Sequence, residues 1–427
     1  MPDDAEPARL IVLSVDGMHP NFCRRPSEFG VKLPSIQALA AAGASAEAME
    51  SVYPSTTYPA HATLMTGVPP RVHGICSHLA SLDPTESARP WHWFAQAIRV
   101  PALWSLARAQ GLRSAAVSWP VSVGAPIDLN VPEIWDPHVP DPRKDFTTVT
   151  QYATPGLFEE LAQVLRLSTE MADPDQLRGE AALYLWEKYR PDLLLVHFVG
   201  YDQQAHRCGP RSPEALAALE RVDVEVGRLR DAASHDHSVT FVVLSDHGFL
   251  PVEKDVAPLT ILAEEGLFGS TGEGQRELLK LGAVHAGGSF AVFWLETPTA
   301  REEVALARAL ERLTETGGVA EVVDRGRLGS LGSDPEAEWM LDAAQGFYFS
   351  DRFEGPTLKE GAGDRGTHGH LPTRRGMEAS FIIAGPGVAP GTNLGRIRLT
   401  DVAPTLAVRL GVAPGLLASD AGPLNLG

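Results

Sequence analysis

Phe241-Val242-Val243-Leu244-Ser245-Asp246-His247-Gly248 is the stretch on which the reading of the fold turns. Four apolar residues run straight into Ser-Asp-His and a glycine. A continuous apolar run of this kind suits a strand buried on both faces, as in a parallel sheet. Adjacent Asp and His at its end serve no packing purpose, and open α/β sheets bind ligands outside the carboxyl ends of their strands.

The pattern recurs. Leu10 to Val15 stops at Asp16-Gly17, Leu193 to Val196 leads to His197 and Asp202, and Phe381 to Ala384 stops at Gly385-Pro386-Gly387. Helical patterns lie between these runs, at Leu33 to Ala42, Leu103 to Gln110, Pro174 to Lys188 and Pro213 to Ala233. The alternation predicts an α/β fold with a central, mostly parallel sheet and helices on both faces. Residues 256–362 read differently: a helix near Leu259 to Glu265, a Gly-rich loop, a strand Ser289 to Leu295, a helix Ala300 to Thr316 and a short strand Ala320 to Asp324. They are expected to form a small inserted α+β subdomain, leaving 1–255 and 363–427 as the core. Asp136 to Pro142 reads as a surface loop.

Composition narrows the function. The chain has 427 residues, 44% hydrophobic and 21% charged, so disorder is excluded as the main state. Its length passes the roughly 250–300 residues at which one core stops growing, which suits a large domain with an appended piece. The net charge of −18 argues against binding a nucleic-acid polymer, which calls for a basic face. No apolar run approaches the ~20 residues of a membrane-spanning helix, so no membrane partner is expected. Cys23, Cys76 and Cys208 form neither a disulfide framework nor a CxxC site. Met1 to Glu6 is acidic and lacks the basic start and apolar stretch of a secretory signal, so the expected location is cytoplasmic.

Four segments carry candidate chemistry. Asp16 ends the first strand, where an Asp is either a turn residue or a ligand. In Tyr53 to Gly67, Pro59 suits the first turn of a helix, which puts Thr57 at or just before the N-cap. There Thr57 is either a capping residue or a nucleophile at a helix start whose free N–H groups favour an anion. A Thr hydroxyl attacks only when a base or a metal activates it. Asp202 and His206 stand four apart, on one face of a helix. His368 lies in Gly366-Thr367-His368-Gly369-His370, where flanking glycines let the backbone approach other groups. With Asp246 and His247, the set supplies three carboxylates and three imidazoles, a suitable N/O donor set for two zinc-like ions. Two such ions suit in-line displacement at phosphorus.

The order of these motifs, from strand-Asp through TYPAH, DxxxH and SDHG to GTHG, resembles the alkaline phosphatase superfamily and, more narrowly, the nucleotide pyrophosphatase/phosphodiesterase family. The resemblance implies Thr57 as nucleophile, because Tyr58-Pro59 follows it. It implies one zinc site of Asp202, His206 and His368, and another of Asp16, Asp246 and His247 with Thr57 also bound. It implies a small phosphorylated substrate, a nucleotide among the candidates, cleaved at a phosphodiester or phosphoanhydride bond through a phospho-threonine intermediate. Two departures bear on substrate. Where the family places an Asn that helps hold a phosphoryl oxygen, this chain reads Cys76-Ser77-His78, with His78 available as a donor. Where the family tends to place a nucleobase-stacking Tyr, five residues before Asp202, this chain has His197. Tyr58, Trp91 and Trp93 are candidates for an apolar wall beside a leaving group or for plain core packing. Tyr348-Phe349 is a candidate for facing the site, and Arg365 is the cation nearest the motifs. A phosphomonoesterase or a phosphonoacetate hydrolase on the same core, and a non-catalytic metal-binding or sensing protein, are the competing readings. Oligomeric state is not readable.

Overall fold

The structure is a computed structural model that describes residues 8–84, 86, 88–139, 146–166, 173–270, 276–278, 281–361 and 363–427. The acidic start, part of the Gly-rich loop after Glu265 and the end of the expected loop from Asp136 to Pro142 fall outside these residues.

An eight-stranded sheet forms the centre. Its spatial order is Thr392–Asn393, Ala44–Ser45, Phe381–Ala384, Val239–Leu244, Arg9–Val15, Leu193–Phe198, Ser114–Val117 and Leu129–Val131. Arg9–Val15 lies parallel to both neighbours, with Leu13 opposite Val196 and Val243. Phe381–Ala384 departs from the parallel expectation and runs antiparallel to both of its neighbours. Its apolar run reports burial on both faces, which strand direction does not alter, and the chain reaches it without the helical crossover a parallel strand needs.

Alternate residues of the central strands enter opposite cores, as period-2 side chains must. Ile11, Leu13, Val196 and Val243 face the helices Pro34–Ala42, Pro174–Tyr189 and Pro213–Ala232. Leu10, Val12, Leu195 and Val242 face Thr57–Thr66, Leu103–Ala109 and Val402–Arg409. Helix starts follow their caps. Asp173 and Ser212 accept N–H groups in the first turns of helices that open on Pro174 and Pro213.

A second lobe carries its own antiparallel sheet, ordered Leu281–His285, Ser289–Trp294, Trp339–Ala343 and Val319–Asp324. The helix Ala300–Glu315 buries Ala305, Leu306, Ala309, Leu310 and Leu313, an i, i+3/i+4 stripe, against Phe290 and Leu341 of that sheet. The strand Leu250–Val256 links the lobes by pairing with Gly346–Phe349, Leu358–Glu360 and Gly366–Thr367.

Candidate metal centre

The donors gather at the carboxyl ends of the central strands. Asp16 follows the strand Arg9–Val15, and Asp246-His247 follows Val239–Leu244. Asp202 and His206 lie on the helix Gly200–Cys208, directly after Leu193–Phe198. His368 follows the short strand Gly366–Thr367.

Two groups of three result: Asp202, His206 and His368, and Asp16, Asp246 and His247, with the ligand atoms of each group all within 4.8 Å of one another. His247 Nε2 lies 3.3 Å from Asp16 Oδ1 and 3.2 Å from Asp246 Oδ2. Asp202 is 3.7 Å from His206 Nε2 and 3.6 Å from His368 Nε2. The stacked rings of His247 and His368 join the groups. The Thr57 hydroxyl opens its helix at residue N1, with Thr56 as N-cap. It donates towards Asp16 Oδ2 at 3.3 Å and stands 3.5 Å from His247 Nε2.

Local chemistry orients these donors. Asp246 Oδ1 accepts the Gly17 and His247 N–H groups at 3.1 and 3.0 Å, so Oδ2 turns to the cluster. His206 Nδ1 and His247 Nδ1 face the Gly366 and Gly248 carbonyls at 3.1 and 3.0 Å. A ring N–H donating there leaves Nε2 as a lone pair aimed at the carboxylates. Gly248 is required: a Cβ there would stand 2.1 Å from Gly376 O.

The cluster fits divalent cations. Asp16 Oδ1, Asp202 Oδ1, Asp246 Oδ2 and His368 Nδ1 are buried without a hydrogen-bond partner among the described residues. Burial and the neighbouring Asp246 and Asp202 push Asp16 well above the usual carboxylate range. Burial raises Asp202 as well, against the pull of His206 and His247. Burial works against charge on Asp246 too, but His247, His61 and His197 draw it below the usual value. Burial, with His247 and His206 beside it, drives His368 well down, which keeps that imidazole neutral. Crowded carboxylates and neutral imidazoles of this kind are relieved by a bound cation.

A cavity of about 870 Å³ opens over the centre, lined by Asp16, Thr57, Asp202, His206 and His368. His78 and Trp91 line it, with their rings 4.9 Å apart. Tyr348 lines it too, whereas Phe349 is buried in the second lobe's core. Tyr58 and Trp93 belong to the core: both are buried, and the Tyr58 hydroxyl donates to Glu133 at 3.1 Å. Arg365 is exposed, and its backbone N–H donates to His206 O. Arg178 lines the cavity but is held by Asp175 and Ser118.

A layer beneath the donors is new to the structure. His197 is fully buried, with Nε2 3.1 Å from Asp16 and Nδ1 3.1 Å from Glu133. It braces Asp16 and offers no stacking surface to the cavity. His61 Nδ1 faces Thr57 O at 2.8 Å and Asp246 at 3.6 Å. One sequence signal for His197 was a polar residue near the end of an otherwise apolar strand. Glu133 has no local signal.

These features agree with what the chain resembles. Ectonucleotide pyrophosphatase/phosphodiesterase family member 3 of Rattus norvegicus is 26% identical over 259 residues, 58% of this chain and 25% of that protein. Venom phosphodiesterase 2 of Crotalus adamanteus is 25% identical over 266 residues, 60% of this chain and 28% of that protein. The chain therefore spans about a quarter of the length of these relatives. The solved structure of murine ectonucleotide pyrophosphatase/phosphodiesterase 5, an inactive form in complex with AMP, superposes with a TM-score of 0.66 at 18% identity, over 99% of this chain and 98% of that one, and so shares the fold. The family model described as type I phosphodiesterase / nucleotide pyrophosphatase matches residues 10–367. That match takes in Thr57 and every donor of the cluster except His368, one residue beyond it, and the chain belongs to the type I phosphodiesterase / nucleotide pyrophosphatase family.

Proposed function

We propose that the chain is a metal-dependent hydrolase of phosphodiester or phosphoanhydride bonds, with Thr57 as its nucleophile. The observation that carries this reading is the Thr57 hydroxyl at 3.3 Å from Asp16 and 3.5 Å from His247, at the edge of two three-residue donor groups. Asp202, His206 and His368 would hold one Zn²⁺ and Asp16, Asp246 and His247 the other. Bound zinc supplies a lowered pKa to the attacking hydroxyl or water and charge stabilisation to the entering and leaving oxygens.

The chain's own residues do the rest. Thr57 Oγ1 forms the bond to phosphorus as the bond to the leaving alcohol or phosphate breaks, and its proton departs on the side of Asp16. Water then cleaves the phospho-threonine. The N–H groups of Thr57 and Tyr58, in the first turn of the helix Thr57–Thr66, lack intrahelical acceptors and would be available to a phosphoryl oxygen. His78 is a further donor. Burial, with His285, Arg89 and His92 around it, pushes it down to about 3, so at neutral pH it offers one ring N–H and no charge.

A diester is favoured over a monoester because, of the arginines at the cavity or beside it, Arg178 is held by Asp175 and Ser118 while Arg207 and Arg365 are exposed to solvent. The lining of the cavity also includes Val131, Phe146, Val149, Leu161 and Leu177, which suits an apolar or aryl alcohol as leaving group. A nucleotide also remains a candidate, supported by the AMP bound to the murine protein of the same fold. The test is a panel of bis-p-nitrophenyl phosphate, p-nitrophenyl phosphate, phosphonoacetate and a dinucleotide, each with and without EDTA. Hydrolysis of the monoester or the phosphonate in preference to every diester would refute the substrate assignment.

A further inference from the structure

His368 differs from the other two donor imidazoles in how it is held. The Nδ1 atoms of His206 and His247 face backbone carbonyls at 3.1 and 3.0 Å, whereas His368 Nδ1 is buried with no well-formed hydrogen bond among the described residues, its imidazole meeting the Ser55 backbone only loosely. The placement of its ring therefore rests on packing against His247, His206 and Phe249 and on its backbone, and that backbone is gripped by the second lobe. The Gly288 N–H donates to His368 O at 2.7 Å, while the Gly369 N–H donates to Ser55 O at 2.8 Å on the core side. The contact admits no side chain. A Cβ on Gly287 would stand 2.0 Å from Thr367 Oγ1, on Gly288 2.5 Å from His370 Cδ2, and on Gly369 1.9 Å from Ala286 O.

The same edge of the lobe grips the loop again. Asp342, fully buried, pairs across the sheet with Ser289, the residue after this glycine turn. Its carboxylate accepts the Leu371 N–H at 2.8 Å and the Arg374 Nε–H at 2.5 Å, with a second contact to the same guanidinium. The buried His370 ring lies beside it, 3.6 Å away.

We infer that the second lobe is a positioning clamp for His368, in which Asp342 and the Gly287-Gly288 turn hold residues 368–374 so that the imidazole keeps its 3.6 Å approach to Asp202. Asp342 and Gly288 touch no substrate; they act through His368. The inference rests on the proposed metal reading for its consequence, but not for the grip itself.

The experiment titrates metal-free protein with Zn²⁺ alone by calorimetry and follows hydrogen exchange at the Gly369 and Leu371 amides in the same samples. Asp342→Asn, Gly288→Ala and Arg374→Lys are compared with the parent chain. Asp342→Asn and Gly288→Ala are expected to speed exchange at both amides and to weaken one of two zinc sites by about 10–100-fold, the usual effect of losing an outer support, with the other site unchanged. Arg374→Lys keeps the charge and is expected to retain most of the affinity. Faster exchange with both zinc affinities unchanged would overturn the inference, and so would unchanged exchange. If Asp342→Asn fails to fold, Gly288→Ala decides alone, since it leaves the buried ion pair intact. A parent chain that takes up no zinc would sink the metal reading by itself, and the exchange data would still decide whether the lobe holds the loop.

Discussion

The imidazoles of His247 and His368 stack with centroids 4.0 Å apart and planes 19° from parallel. One follows a central strand and the other follows a strand in the C-terminal part of the chain, and each belongs to a different donor group. Between them they form the shared wall of the two groups, so a change at either is felt at both.

Chelation is the first consequence. Removing divalent cations leaves Asp16, Asp202 and Asp246 facing one another without a counter-charge. EDTA is expected to abolish hydrolysis and to lower the melting temperature by several degrees, because a ligand that binds only the folded state stabilises it by mass action. Adding Zn²⁺ back should restore both, as read by a chromogenic assay and calorimetry. A melting temperature indifferent to EDTA would count against the donor assignment.

Thr57→Ala is expected to cut turnover by at least about 10³-fold, since losing a covalent nucleophile removes the reaction path itself. Zinc content should stay at the parent value, because six other donors remain. Elemental analysis together with diester hydrolysis checks both halves. Parent-level hydrolysis by this variant would eliminate the covalent route.

His73 predicts an acid-side instability. It is fully buried: Nδ1 accepts the Ile75 N–H at 3.1 Å, which leaves Nε2–H to donate to Thr63 at 2.9 Å. Burial pushes its imidazole down to about 3 from an ordinary 6.5. The folded chain therefore holds it neutral while the unfolded chain protonates it below 6.5. Its contribution is present above 6.5 and is lost as pH falls towards 3, by about 1.4 kcal/mol per pH unit. The stability gap between the parent and His73→Gln should narrow accordingly between pH 6.5 and 5 in urea titrations. A gap that stays constant would refute the assignment.

Asp175 should matter for stability more than any surface pair. Its carboxylate accepts the Val199 and Gly200 N–H groups at 3.0 and 2.7 Å and pairs with Arg178 at 2.7 Å, fixing the turn into the helix that carries Asp202 and His206. Gly200 is part of this contact, since a Cβ there would stand 2.5 Å from Asp175 Oδ2. Asp175→Ala strands two N–H groups and removes the carboxylate partner of the half-buried Arg178, and is expected to cost about 2–3 kcal/mol. Glu360→Ala, which removes the exposed partner of Lys254, should cost under about 1 kcal/mol. Denaturant melts of the two variants compare them directly.

Five of the six donors were legible because each stands where an apolar strand stops or where helical spacing brings two polar side chains to one face, and His368 because glycines flank it. Asp16, Asp246 and His247 needed only the strand pattern, and Asp202 with His206 only the four-residue spacing. The layer behind them was not legible. Glu133 reaches His197 from a different part of the chain, and no local periodicity encodes that meeting. Tyr58 shows the limit differently. It is next to Thr57 in sequence, but successive helical residues point about 100° apart, so one faces the cavity and the other the core. The antiparallel course of Phe381–Ala384 was hidden because an apolar run carries no direction.

The span between Asp16 and His368 has a bearing on folding. These two residues stand far apart in the sequence, and the central sheet is completed only when Phe381–Ala384 pairs with Val239–Leu244. Such distant pairings form late and slowly. The two donor groups therefore come together late in folding, and the centre reports the finished sheet rather than any one strand.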